Sequence, residues 1–130
     1  MVLGDDFLCT NSVRIRRAIE GEAATALLLK VIQIGALIEA ADSLRLAREA
    51  GWSDVASARS GETEDNWLAD LAVGWGAEHI KVGSKTQSER LAKYDRLLSI
   101  EAAHSFSQTG KSTDFRNRWR TVVPVGTCVL

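Results

Sequence analysis

Apolar and polar positions alternate along the chain at two different periods. Thr25 to Val31 (TALLLKV) is a short continuous apolar run with a lysine near its end, which predicts a strand buried on both faces whose last side chains emerge at a sheet edge. From Ala36 to Ala50, Leu37, Ala40, Ala41, Leu44 and Ala47 recur at helical spacing, and Gly51 stands where a helix should stop. Trp52 to Ala58 predicts another strand. Ser60 to Asp65 reads as a loop whose hydroxyls and acids open a helix reaching about Trp75. Ala77 to Gly83 predicts a third strand ending near Lys81. Thr86 with Glu89 then forms the pattern of a capping box before an amphipathic helix with Leu91, Tyr94, Leu97 and Leu98 on its apolar face. Near the front, Asn11 or Ser12 is placed to cap a helix through Ile19.

Strand and helix thus alternate about three times, the order of βα units in a parallel sheet rather than of a bundle or a sandwich. A closed (β/α)₈ barrel takes about 250 residues, so on a barrel reading this 130-residue chain is part of one. Neither a repeat nor a low-complexity tract interrupts the pattern. From His104 to Leu130 the periodicity is weak.

Composition narrows the partners. The chain is 45% hydrophobic and 25% charged, with 16 basic and 17 acidic residues and a net charge of -1. That balance creates no field to attract nucleic acid or an anionic membrane, so any anion must be held by local groups. Cys9 and Cys128 lie far apart and outside any metal-ligand spacing, and both read as free thiols. No stretch is long and apolar enough to span a bilayer, and a cytoplasmic location is the expectation.

Asp5, Lys30, the pair Arg59 and Ser60, and Lys81 each fall at or just beyond a predicted strand end. In barrels that end carries the active site. Two lysines and an arginine with the acidic pair Asp5 and Asp6 suit an anionic substrate and a hard cation such as Mg²⁺, which prefers carboxylate and phosphate oxygens. Taken singly, each lysine reads equally well as a solvated strand end; the combination is what points to chemistry.

Several strings carry a resemblance to the enolase family: GDD at Gly4 to Asp6, TN at Thr10 and Asn11, LLLKV, QIG, AGW, RSGETED at Arg59 to Asp65, ADLAVG, IK at Ile80 and Lys81, and SERLAKY. They occur in order at near-constant spacing over residues 1 to about 101. The resemblance implies an enolase-type TIM barrel, entered at the end of about its fifth strand and followed to its last helix, which is three to four βα units. It places the small N-terminal domain and the early barrel units outside this chain, and it makes 1–101 the barrel segment and 102–130 a diverged tail.

By the same resemblance, Asp5 matches the last of three carboxylates that hold the catalytic Mg²⁺, and Lys30 the base that removes the proton beside the substrate carboxylate. Lys81 matches a lysine that binds that carboxylate, and Arg59 and Ser60 match contacts to the substrate phosphate. The implied substrate is a small phosphorylated carboxylate, 2-phosphoglycerate or phosphoenolpyruvate, in an enzyme that is a homodimer at full length. Enolase-superfamily sites use a lysine or histidine base with one or two Mg²⁺ ions. A base must be neutral, so neighbouring cations and partial burial are expected to push Lys30 below the ordinary lysine value of about 10.4. Asp6, Glu62, Glu64 and Asp65 read as helix caps or partners of basic side chains. Trp52, Trp67 and Trp75 read as packing residues, and His79 and His104 as structural or surface residues.

Three positions depart from the family pattern. Ala58 stands where enolases carry a histidine before the Arg-Ser pair, Ile32 replaces an asparagine, and Asp54 lies in a strand that is normally apolar. These departures open two further readings. One is a relative with altered chemistry, such as carboxyphosphonoenolpyruvate synthase of phosphinothricin (bialaphos) antibiotic biosynthesis. The other is an inactive paralogue retained for binding.

Overall fold

The computed structural model describes residues 1–107, which fall into two compact units divided after Arg59. The first unit runs β1 (Leu3–Gly4), α1 (Ser12–Glu20), β2 (Ala26–Leu29), α2 (Val31–Ile34), α3 (Leu37–Glu49) and β3 (Ser53–Ser57). Its strands are all parallel: Leu3 pairs with Ala26 and Gly4 with Leu27, and β2 pairs along its length with β3, from Ala26 with Ser53 to Leu29 with Ala56. All four residues of β2 are buried, as expected of a central parallel strand covered on both faces. α3 packs on β2 and β3 and against α1.

Local sequence explains the element ends. The Asn11 side chain accepts from the backbone N–H groups of Val13 at 3.1 Å and Arg14 at 3.2 Å, capping α1. α3 closes with Gly51 at φ 76°, while Gly51 N donates to Arg48 O at 2.9 Å and Trp52 N to Ala47 O at 3.0 Å. These are the paired bonds of a Schellman stop, which requires the left-handed conformation that glycine adopts without strain. Asp54 is buried in β3 and paired with Arg48 Nε at 3.0 Å, so a charge from α3 answers the acid in an otherwise apolar strand.

The second unit begins at Ser60 and contains α4 (Trp67–Gly74), β4 (His79–Lys81) and α5 (Ser88–Ser107). α4 opens on Asp65, whose carboxylate accepts from Trp67 N at 3.0 Å. Two expectations fail in this unit. Thr86 does not cap α5: its hydroxyl bonds to Ser84 Oγ at 2.7 Å, and the helix starts two residues later on the carbonyl of Gln87. The inward face of α5 is also not the predicted leucine stripe. Leu91 and Leu98 are exposed, whereas Arg90 and Lys93 are buried. α5 continues across residue 101 to Ser107. Cys128 lies outside the described residues.

Trp52 is buried, Trp67 and Trp75 are half-buried, and Cys9 is a free thiol. His79 is half-buried at the start of β4, with Nδ1 enclosed and without a hydrogen-bond partner. No helix among the described residues is long and apolar enough to cross a membrane.

Candidate functional site

Lys30 directly follows β2, and Asp5 directly follows β1, its parallel neighbour. The parallel register brings both to the same end of the sheet. There the Lys30 ammonium donates to Asp5 in a close ion pair and to Asp6 Oδ1 at 3.1 Å. Lys30 is only 9% exposed, whereas the Asp6 side chain stands largely in water. Gln33, from the short helix α2, donates through Nε2 to Asp6 Oδ1 at 3.2 Å, leaving its own enclosed Oε1 without a partner.

A buried polar chain fixes Lys30 from behind. Its backbone N–H donates to Thr10 Oγ1 at 2.9 Å, and Ser43 Oγ on α3 donates to Thr10 O at 2.7 Å. Thr10 is fully buried and sits at φ 53°, next to Cys9 at φ 50°. Two successive non-glycine residues in the left-handed region carry strain of about 1–3 kcal/mol each. Neither Thr10 nor Ser43 stands out in the sequence by spacing or charge; Thr10 lies within the TN string and Ser43 within none. A lone hydroxyl in an amphipathic helix carries no sequence signal of the carbonyl it will meet.

The electrostatics of Lys30 differ from the expectation. Burial pulls its pKa down, but hydrogen bonds to Asp5 and Asp6, with their charges, outweigh burial and hold it above the ordinary lysine value. The neighbours that matter here are anions rather than the expected cations. Asp6 is correspondingly held below the ordinary carboxylate value, chiefly by its hydrogen bond from Lys30 and then by that from Gln33.

The donor chemistry at this sheet end suits a hard cation, since Asp5 and Asp6 offer carboxylate oxygens. It does not close a site: among the described residues, no group of three or more His, Cys, Asp or Glu side chains converges. Asp5 can therefore serve as one ligand of several.

The remaining predicted residues flank strand ends. Ala58 is buried just past β3, and Arg59 is exposed at the end of the first unit. In the second unit Ser60 is exposed and Lys81 is half-buried at the last position of β4. The loop that begins at Ser60 is held by α5. Lys93 donates to Thr63 O at 2.9 Å and Asp65 O at 2.7 Å, and pairs with Glu62 at 3.2 Å. Arg90 donates to Ser60 O at 3.1 Å and to Val82 O at 3.0 Å. Both basic residues belong to the string SERLAK, but their inward direction was not apparent from an apolar count.

Residues 1–117 match the family described as Enolase, C-terminal TIM barrel domain. The chain is 49% identical over 116 residues to an enolase of Eimeria tenella, covering 89% of this chain and 26% of the relative. It is 51% identical over 100 residues to enolase B of Dictyostelium discoideum, covering 77% of this chain and 23% of the relative. With enolase 1 of Methylococcus capsulatus it shares 49% identity over 114 residues, or 88% of this chain and 26% of the relative. The chain thus spans about a quarter of the length of the curated relatives it matches. Parallel βα units, the strand-end lysine with its carboxylates and the match over 1–117 agree: the chain belongs to the enolase family, within its C-terminal TIM-barrel domain.

Proposed function

We propose that this chain is the part of an Mg²⁺-dependent enolase-type lyase that supplies the base and several anion contacts for a small phosphorylated carboxylate. The observation that carries this reading is the Lys30 ammonium set on the Asp5 carboxylate at one end of a parallel sheet. In this reading Lys30 accepts the proton next to the substrate carboxylate, and Asp5 is one ligand of the cation. Mg²⁺, when bound, supplies positive charge against the second negative charge that develops on the carboxylate. Lys81 adds a cationic contact to the same carboxylate, while Arg59 and Ser60 contact the phosphate. Lys30 must lose its own proton before it can act, and the two aspartates now hold that proton in place. Engaging Asp5 elsewhere removes one of those bonds. The setting implied is a cytoplasmic, dimeric enzyme, with residues 1–101 as barrel segment and 102–130 as tail.

Ala58 favours a second reading, in which the site is rebuilt for another phosphorylated carboxylate, as in a phosphonate-pathway synthase. Ala58 is buried beside Arg59 and puts a methyl group where the family pattern has an imidazole. The two readings separate in a chimera with residues 1–117 replacing the matching segment of the Methylococcus capsulatus enolase. On the rebuilt-site reading, phosphoenolpyruvate forms slowly from 2-phosphoglycerate, needs Mg²⁺, and rises on Ala58→His. Robust activity that Ala58→His leaves unchanged removes the second reading and leaves the first. Absence of activity in both versions overturns the lyase reading.

A further inference from the structure

In the second unit, α5 turns two cations inward, one turn apart, and they do different work. Lys93 is spent on the loop after Ser60 and on its own helix, through Thr63, Asp65 and Glu89 carbonyls and the Glu62 carboxylate. Arg90 joins two separate segments. One Nη donates to Ser60 O at 3.1 Å and the other to Val82 O at 3.0 Å, one residue beyond Lys81. The Arg90 side chain is 10% exposed, and the Glu89 carboxylate approaches no nearer than 4.0 Å, so backbone carbonyls provide its close polar contacts. A guanidinium presents its donors in one rigid planar fork. The two carbonyls it takes are therefore held at one separation.

Gly83 makes the same point independently. It sits at φ 117°, and a Cβ there would lie 3.3 Å from both Cδ and Nε of Arg90. The strand end lies so close under the arginine stem that a Cβ at this position would press on it and require it to give by a few tenths of an ångström. We propose that Arg90 is a positioning residue that sets the spacing between Ser60 and Lys81, the contacts assigned above to the phosphate and the carboxylate of the substrate. The clamp rests on geometry, and its use for substrate rests on that assignment.

Native-state proteolysis of the full chain tests it, because cleavage through rapid local opening follows the population of the open form. Arg90→Ala should speed Glu-C cleavage after Glu64 and Lys-C cleavage after Lys85 together, by about tenfold or more, the scale of a lost hydrogen bond to a charged group. Cleavage after Glu39 in the first unit should not change. Millimolar methylguanidinium should slow both cuts again, and methylammonium at the same concentration should not, which a merely space-filling role would not produce. Loosening of only one segment, or loosening of both without that rescue, overturns the clamp. Should Arg90→Ala fail to fold, Arg90→Lys, which keeps the charge and loses the planar two-armed fork, must loosen both segments; unchanged cleavage there also overturns the clamp. In the unaltered chain, inorganic phosphate should shift the amide resonance of Ser60, and acetate that of Lys81. No shift at either would overturn the anion assignment, a failure separable from that of the clamp because proteolysis involves neither anion.

Discussion

Thr10 holds a conformation that β-branched residues avoid, and its hydroxyl shows what that strain secures. With φ at 53° the buried side chain reaches the backbone N–H of Lys30, while its carbonyl takes the Ser43 hydroxyl. The lysine is thereby fixed at its own backbone before its ammonium meets Asp5 and Asp6. Thr10→Val keeps shape and removes the oxygen, leaving a buried N–H without a partner, which costs about 1–3 kcal/mol. Urea unfolding of the chain should show a lower midpoint with an unchanged slope. An unchanged midpoint would mean that the hydroxyl contributes nothing to holding Lys30. The strand-end placements of Asp5, Lys30 and Lys81 were legible because a charged residue bordering an apolar run marks where a buried strand emerges. The supporting hydroxyls were not, because nothing in their local sequence distinguishes a surface hydroxyl from a buried one.

Among the elements, α1, α3 and the strands β2 and β3 formed close to where apolar period and capping residues predicted them, since each is decided by short-range pattern. β1 and α2 are two and four residues long, too short to carry a period. α5 misled for a different reason: Arg90 and Lys93 face inward because carbonyls of a loop and a strand end await them, and that demand is tertiary. α5 also meets α4 through Arg96, whose guanidinium donates to Asp70 at 2.7–3.1 Å through two nitrogens. The hydrogen bond from Arg96 holds the Asp70 carboxyl below the ordinary carboxylate value. Its stabilisation is therefore fully present above that ordinary value and is lost as pH falls through the lowered folded-state pKa. Both side chains are more than a third exposed, so the effect is small and screened by salt. Asp70→Asn should be less stable than the unaltered chain at neutral pH and low salt, and the difference should close in strong acid. A difference independent of pH would contradict an ionic origin.

For the whole molecule, the described residues bring Asp5 and Lys30 to one sheet end without a group of three metal-ligating side chains around them. The chain matches about a quarter of each relative's length. Its proposed chemistry is accordingly a contribution to a larger site, and the test of that contribution is the fate of one proton. In the chimera that joins residues 1–117 to the rest of the Methylococcus capsulatus enolase, exchange of the substrate α-proton can be followed by NMR in D₂O with 2-phosphoglycerate and Mg²⁺. Lys30→Ala should slow that exchange by about 10²- to 10⁴-fold, the usual contribution of a general base, while 2-phosphoglycerate still binds. Exchange at an undiminished rate in Lys30→Ala would contradict the account, because the group placed on Asp5 would then not be the base.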